Sequence, residues 1–191
     1  MKPLTFALIT SLGLVTTACS KPATTQDSPA VSAATARSPY DLVASTGKGF
    51  TVGTLMSTQT VYVLFEPQCP HCGHLWQASI PLHNKVRFVW IPIAFNSGKS
   101  LTQSAALLSS KNPMETMSEH ENLLLSGKGG LVASANVPDE LASTIKQNTQ
   151  LFNSLGLDGV PYVLAKNKIG GQVVTHSGAL TTSALSQLLG I

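Results

Sequence analysis

The sequence predicts an α/β fold in which a helix links two buried strands, and a helical insertion, a hairpin and a final helix follow. Residues 60–65 and 86–94 are β-branched and aromatic runs typical of buried strands. Between them, residues 70–82 carry apolar side chains at helical spacing. A helix between two consecutive strands implies a parallel crossover pair, whereas a hairpin adds an antiparallel strand. The order of elements therefore predicts a mixed sheet.

The helical insertion is expected over about residues 97–156. Leu101, Ala105 and Leu108 fall at helical spacing, and β-branched runs are absent from this part of the chain. A glycine-rich stretch at residues 127–130 divides the insertion into two parts.

The chain closes with a hairpin and a helix. Residues 162–165 and 173–175 predict the two strands of the hairpin, and residues 180–189 predict the helix, with Thr181 or Thr182 as its N-cap. This order is that of a thioredoxin-like fold with a helical insertion between the central strand pair and the hairpin.

Composition excludes several classes of function. The chain has 191 residues, of which 43% are hydrophobic and 11% charged, enough apolar residues for a core. The net charge of +3 is spread without a run of Lys or Arg, so no nucleic-acid partner is expected. Beyond the N-terminus, no apolar run approaches the roughly 18 residues that cross a bilayer. No cofactor is indicated.

Residues 1–19 have the pattern of an export signal: Lys2 precedes an apolar stretch that ends in small residues. A cysteine directly after Ala18 is typical of a bacterial lipoprotein signal, although Thr16 stands where Leu is usual. Lipidation of Cys19 would also account for the odd cysteine among three. We therefore expect a periplasmic protein anchored to the membrane through Cys19; an ordinary cleaved signal is the alternative.

The next residues predict a tether. Residues 20–45 are rich in Ala, Ser, Thr and Pro and contain few large apolar side chains. Such a segment buries too little surface to offset the entropy of ordering it. The folded domain is accordingly expected over residues 46–191.

The motif Cys69-Pro70-His71-Cys72 carries the chemistry. It follows a predicted strand and opens a predicted helix, where two intervening residues let both sulfurs approach bonding distance. Pro70 suits the first helical turn. Free N–H groups at the helix start stabilise a thiolate at Cys69 more than the helix dipole does, and His71 adds a donor or a positive charge. These effects predict a lowered pKa for Cys69.

Two other interpretations of the motif are open. A structural disulfide between Cys69 and Cys72 would close a very small loop and stabilise little. A copper or zinc metallochaperone could use both cysteines with His71 or His74, but the sequence has no second Cys-x-x-Cys or distant His pair. Redox exchange is the favoured function, the metallochaperone is the alternative, and no metal site is predicted.

Two segments bring a family resemblance. Residues 61–77, VYVLFEPQCPHCGHLWQ, resemble the catalytic domain of the DsbC/DsbG disulfide isomerase family, most closely its DsbG members. Residues 159–180, GVPYVLAKNKIGGQVVTHSGAL, are similar to that family's cis-proline hairpin. The resemblance covers about residues 50–190.

The resemblance implies roles for particular residues. Cys69 would attack substrate sulfur and Cys72 would resolve the mixed disulfide. The Val160-Pro161 bond would be cis and would face substrate, with Tyr162 beside it. Substrate proteins with thiols or disulfides and a membrane redox partner are implied as well.

The sequence also departs from the family. The DsbC/DsbG proteins carry an N-terminal dimerisation domain that the predicted tether does not resemble, so a monomer is expected. The dipeptide between the cysteines and the Val before the proline are instead those of DsbA-type oxidases. The implied function is therefore an exported thiol:disulfide oxidoreductase that works as an isomerase or reductase, or as an oxidase.

A proton-accepting acid has no obvious candidate near the motif. Some thioredoxin-fold enzymes carry a buried acid six residues before the first cysteine, and that position is Val63 here. Glu66 is interpreted as a solvated or helix-start carboxylate.

Overall fold

A computed structural model describes residues 37–95 and 98–191. The predicted export signal, Cys19 and residues 20–36 of the predicted tether lie outside the described residues. The strands in the described ranges are β1 (Phe50–Gly53), β2 (Thr60–Phe65), β3 (Arg87–Pro92), β4 (Tyr162–Lys166) and β5 (Val173–Ser177). The α-helices there are α1 (Pro39–Thr46), α2 (Pro70–Ser79), α3 (Lys99–Ser109), α4 (Pro113–Leu125), α5 (Asp139–Ser154) and α6 (Thr182–Leu189).

The strands form one mixed sheet in the order β1-β3-β2-β4-β5. Strands β2 and β3 are parallel and joined through α2, as the sequence predicts, and the other neighbours are antiparallel. Strand β2 is central, and its Leu64 pairs with Tyr162 at the start of β4. This register brings the chain after β2 close to the chain before β4, although the two are about a hundred residues apart in sequence.

Alternate side chains of β2 supply two cores. Val63 and Phe65 belong to a cluster with Cys72 and Trp76 of α2 and with side chains of α6. Leu64, which points to the opposite face, packs with residues of β3, α1 and α5. Successive side chains of a strand point to opposite faces, so a strand covered on both faces is a continuous apolar run. The sheet thus holds α2 firmly on one side.

The insertion consists of three helices where the sequence predicts two parts. An additional break falls between α3 and α4, where Pro113 occupies the first turn of α4. Proline lacks an N–H and ends a helix that precedes it, but it is tolerated at a helix start. Helix α4 packs against α2, and α3 packs against α5. The insertion therefore lies directly against the helix that carries the cysteine motif.

Helix α1 corrects the predicted tether, because residues 39–45 are helical. Ser38 caps the helix by accepting a hydrogen bond from the Asp41 N–H at 3.1 Å. Val43 is fully buried, and the ring of Tyr40 packs edge-on against Tyr62 at 5.3 Å. A few large side chains in an otherwise small and polar segment suffice to order it. Strand β1, at the sheet edge, is a second element that the sequence analysis omits.

The remaining differences are small. The helix predicted to reach residue 82 ends at Ser79, and a short 3-10 turn with Pro81 covers residues 80–82. Thr181 is the N-cap of α6, since its side chain accepts a hydrogen bond from the Ala184 N–H at 3.2 Å. None of the helices in the described ranges is long and apolar enough to cross a membrane.

Candidate active site

The cysteine motif begins at the end of the connection between β2 and α2 and continues into the first turn of α2. Cys69 is the N-cap of α2, with φ −94° and ψ 112°, and Pro70 occupies the first turn. The Cys69 side chain makes no capping hydrogen bond to the helix, and the Cys72 N–H donates to the Cys69 carbonyl oxygen at 3.0 Å. The N–H groups of His71 and Cys72 still lie close enough to stabilise a negative charge at the sulfur. A strand that ends in a tight connection to a helix fixes this arrangement.

The two cysteines differ in exposure. Both are free thiols here; Cys69 is half-buried, whereas Cys72 is fully buried in the core cluster below the sheet face. Pro70 and His71 are exposed beside Cys69. A substrate can therefore reach the first sulfur and not the second.

The two thiols have different pKa values because their surroundings differ. The pKa of Cys69 is lowered to about 6, chiefly by the hydrogen bond that the Cys72 thiol donates to it. The N–H groups of Cys72 and His71 and the charge of His71 lower this pKa further, against the effect of burial. Burial is the main cause that raises the pKa of Cys72 well above its ordinary value, and the neighbouring Cys69 raises it further. At neutral pH the arrangement favours a Cys69 thiolate beside a protonated Cys72.

The order of the contributions that lower the Cys69 pKa differs from the order that the sequence suggests. Backbone N–H groups do stabilise the thiolate, but the largest single contribution comes from the Cys72 side chain, and the charge of His71 contributes least. The Cys72 thiol forms a hydrogen bond with the Cys69 sulfur, whereas His71 is exposed to solvent, which screens its charge.

The proline loop before β4 adjoins Cys69. The Val160-Pro161 peptide bond is cis, as expected, and the Val160 carbonyl oxygen lies 3.7 Å from the Cys69 Sγ. The side chain of Val160 packs against the cluster that contains Cys72. Tyr162 instead packs against the cluster on the opposite face of the sheet. Of the three residues predicted to bind substrate, Val160 and Pro161 belong to the loop at the sulfur, and the ring of Tyr162 is directed elsewhere.

A buried acid from the insertion is a feature that the sequence analysis missed. Glu121 on α4 is fully buried, and neither carboxyl oxygen has a hydrogen-bond partner among the described residues. A Cβ atom built on Gly73, the residue after Cys72, would lie only 2.6 Å from the Glu121 Oε2. Burial raises the pKa of Glu121 to about 9, with further contributions from Cys69 and Glu66.

Two signals in the sequence could have pointed to this acid. Glu121 lies four residues after Met117, on the buried face of α4, where an apolar residue is the rule. Gly73 lies inside a helix, where glycine often marks the close approach of another group.

Glu66 is buried, contrary to the expectation of a solvated carboxylate. Its side chain is only 6% exposed, and its Oε2 accepts a hydrogen bond from the Gln68 N–H at 2.8 Å. Burial raises its pKa, while the hydrogen bond from the Gln68 N–H opposes the rise. The short connection between β2 and α2 turns this side chain inward.

His120, on α4 beside Glu121, has a structural role. The Leu131 N–H donates to its Nδ1 at 3.2 Å, so the proton of the neutral ring is on Nε2, which donates to the Pro67 carbonyl oxygen at 2.8 Å. Burial lowers the pKa of His120 and keeps the ring neutral. The bond to Pro67 ties α4 to the loop that leads into the cysteine motif.

Trp76 and His74 are two further residues of α2 near the motif. Trp76 is in the core, where its ring lies 5.1 Å from that of Trp90 and its Nε1–H donates to Ser118. His74 is exposed on α2. Within residues 37–95 and 98–191, no group of three or more His, Cys, Asp or Glu side chains has an arrangement that could hold a metal ion.

Curated relatives are proteins of one type. The chain is 28% identical to the thiol:disulfide interchange protein DsbG of Pseudomonas aeruginosa over 141 residues, which covers 72% of this chain and 54% of the relative. It is 31% identical to DsbG of Escherichia coli K12 over 110 residues, covering 56% and 44%. The chain thus spans about half the length of these relatives. No protein-family model matches it.

Solved structures show the same fold. The catalytic domain of Proteus mirabilis ScsC superposes with a TM-score of 0.60 at 18% identity, covering 78% of this chain and 96% of that domain. A periplasmic thioredoxin-like protein from Salmonella enterica serovar Typhimurium gives 0.62 at 15% identity, covering 79% and 93%. The predicted thioredoxin-like fold and the resemblance to DsbG are both confirmed.

Proposed function

We propose that this chain is a thiol:disulfide oxidoreductase that exchanges disulfides with protein substrates through Cys69 and Cys72. The proposal rests on the difference between the two cysteines: Cys69 is accessible and has a pKa of about 6, whereas Cys72 is buried and protonated. The thiolate is the nucleophile in disulfide exchange, so a cysteine of this kind is reactive at neutral pH. The DsbG proteins to which the chain is similar are named for the same reaction.

The reaction divides into two displacements. The Cys69 thiolate attacks one sulfur of a substrate disulfide, a bond forms between them, and the other substrate sulfur leaves as a thiolate. Cys72 then loses its proton and attacks the Cys69 sulfur, which forms the Cys69–Cys72 disulfide and releases the second substrate thiolate. The substrate gains two electrons, and the protein loses two. Run in reverse, the same steps oxidise a substrate dithiol.

The loop at Val160 supplies a place for the substrate backbone. Its carbonyl oxygen lies beside the Cys69 sulfur, so an extended substrate peptide that pairs with this loop would present its own sulfur to Cys69. Pairing through the backbone imposes little selection on the substrate's side chains. We therefore propose unfolded or partly folded proteins as substrates.

A trapping experiment tests the assignment. In C72A the mixed disulfide cannot be resolved, so substrate proteins should remain linked to Cys69 and be released by dithiothreitol. The matched variant C69A keeps the buried thiol and should trap nothing. Equal trapping by both variants would contradict the proposed roles. Stoichiometric copper or zinc binding by the reduced protein, without exchange activity, would favour the metallochaperone instead.

We further propose that the pair is oxidising. Every hydrogen bond to the Cys69 thiolate stabilises the reduced protein, and about 1.4 kcal/mol corresponds to about 30 mV for a two-electron couple. A good hydrogen bond to a charged group contributes about 1.5–3 kcal/mol, or roughly 30–60 mV. Equilibration with glutathione buffers should give a potential clearly above the roughly −270 mV of thioredoxin. A value at or below that figure would contradict the proposal.

The proposed location is the periplasm, with an anchor at Cys19. The pattern of residues 1–19 supports export, and one of the structural relatives is described as periplasmic. Export would place the pair in a compartment where disulfides form and persist. Globomycin-sensitive incorporation of labelled palmitate, lost in C19A, would support the anchor; release of an unlabelled, soluble chain would contradict it.

A further inference from the structure

Glu121 is a buried acid without a partner. It is fully buried, and no described backbone or side-chain group forms a hydrogen bond with either of its carboxyl oxygens. An ionised carboxylate in such a place is costly, so the group is held in its protonated form until its surroundings change. Structural stability gives no reason to place an acid at this position, since an apolar side chain would fill it better.

The acid lies against the residue that follows Cys72. Gly73 has no side chain, and a Cβ atom at this position would lie only 2.6 Å from the Glu121 Oε2. The side chain of Leu125 lines the same gap at 3.1 Å. Helices α2 and α4 therefore meet at a point where the acid lies against the residue that directly follows Cys72.

Charges couple Glu121 to both cysteines. A negative charge on Cys69 raises the pKa of Glu121, and a negative charge on Glu121 raises the pKa of Cys72. Glu66 also raises the pKa of Glu121. The proton on the acid therefore responds to the state of the nucleophile.

Other groups around Glu121 are uncharged or distant. The polar side chains that helix α3 buries, those of Ser100, Gln103 and Ser104, are neutral, and its Lys99 is exposed. Strand β1, which also packs against α4, carries no ionisable side chain. On α2, His71 and His74 are exposed, and the neighbouring His120 is held neutral.

We propose that Glu121 exchanges a proton with the thiol of Cys72 during the second displacement, an inference that rests on the proposed function. When Cys69 becomes bonded to substrate its negative charge disappears, and Glu121 then releases its proton to solvent more readily. The resulting carboxylate accepts the Cys72 proton, and the Cys72 sulfur attacks Cys69 with release of the substrate thiolate. In the reverse reaction, a substrate thiolate attacks Cys69, Cys72 leaves as a thiolate, and the Glu121 carboxylic acid returns the proton.

Reaction of the reduced protein with 5,5′-dithiobis(2-nitrobenzoate) separates the two displacements. The first release of the coloured thiolate reports attack by Cys69 and depends on reagent concentration. The second reports attack by Cys72 and is independent of it. In E121Q, which keeps the shape but cannot exchange a proton, the first phase should stay within about twofold of wild type, and the second should slow at least tenfold at pH 7.

The pH profile distinguishes proton exchange from a structural effect. The second phase in E121Q should rise about tenfold per pH unit between pH 6 and 8, since Cys72 must then ionise unaided, whereas the wild-type profile should be flatter. The matched variant E119Q, which removes an exposed acid from the same helix, should behave as wild type in both phases. An unchanged second phase in E121Q, or equal slowing of both phases, would overturn the inference.

A measurement on unmodified protein covers the case in which E121Q does not fold. Infrared difference spectra of the reduced and oxidised forms at pH 7 should show the C=O band of a buried protonated carboxyl group that changes in frequency or intensity on oxidation, because the negative charge of Cys69 near Glu121 is lost. No change in that region would overturn the inference. A wild-type protein that lacks even the first phase would refute the proposed function itself, which is a separate outcome.

Discussion

The difference between Cys69 and Cys72 arises within one helical turn. One sulfur is at the N-cap, half-exposed and surrounded by donors, and the other is inside the core. The donor that matters most to Cys69 is the partner thiol itself. The reduced pair is thus a hydrogen-bonded unit in which a single proton is shared unequally, and exposure decides which sulfur keeps the charge.

Replacing the partner thiol should raise the pKa of Cys69. In C72A the largest stabilising hydrogen bond is lost, so the pKa of Cys69 should move from about 6 towards its ordinary value of 9.0. C72S keeps a hydroxyl donor and should show a smaller rise. H71A, which removes the smallest contribution, should have the least effect. The pH dependence of iodoacetamide alkylation measures all three; a larger shift in H71A than in C72A would contradict this ranking.

Elements with a strong local pattern were predictable. The bounds of β2 match residues 60–65, because a continuous apolar run between polar residues leaves no ambiguity. Strand β1 has only four residues and ends at Gly53, so its place is set by pairing with β3 and not by its own pattern. Helix α1 depends in the same way on distant partners.

Only those residues of the site that belong to short sequence motifs could be predicted from the sequence. The spacing of the cysteines within the strand-to-helix connection indicates Cys69 and Cys72, and the second motif indicates Val160 and Pro161. Glu121 comes to α2 from about fifty residues further along the chain, through the packing of α4. Nothing in local sequence specifies which helix face meets another, so a contact of this kind needs the structure.

The contact between α2 and α4 should appear as coupling between Gly73 and Glu121. In wild type, G73A must displace the carboxyl group, because its Cβ would be 2.6 Å from Oε2. In E121A only the Leu125 side chain, 3.1 Å from that Cβ, must still move aside, so more of the gain in helix propensity from Gly to Ala, up to about 1 kcal/mol, can be realised. The double-mutant cycle should show G73A costing less in the E121A background, by a coupling of about 0.5–3 kcal/mol. Additive effects on the free energy of unfolding, measured with urea, would contradict the contact.

At the scale of the whole molecule, Cys69 and Glu121 change the stability of the folded protein with pH in opposite directions over the same pH range. The pKa of Cys69 is about 6 in the folded protein and 9.0 ordinarily, whereas that of Glu121 is about 9 folded and 4.5 ordinarily. A lowered thiol pKa stabilises the folded state above the ordinary value, and the contribution is lost as pH falls through 6. A raised carboxyl pKa stabilises it below the ordinary value, and the contribution is lost as pH rises through 9.

If one of the two groups is removed from the reduced protein, the free energy of unfolding between pH 6 and 9 should therefore vary with pH as the other group alone dictates. The free energy of unfolding of E121Q should rise with pH more steeply than that of wild type, since only the Cys69 contribution remains. That of C69S should fall with pH, by no more than about 1.4 kcal/mol per unit, the limit for one proton. The Cys69 slope should be the smaller, because a half-exposed thiolate is screened by solvent. Urea unfolding under reducing conditions at pH 6, 7.5 and 9 measures these slopes, with E119Q as the matched control; parallel curves for E121Q, C69S and wild type would mean that neither group titrates differently in the folded protein.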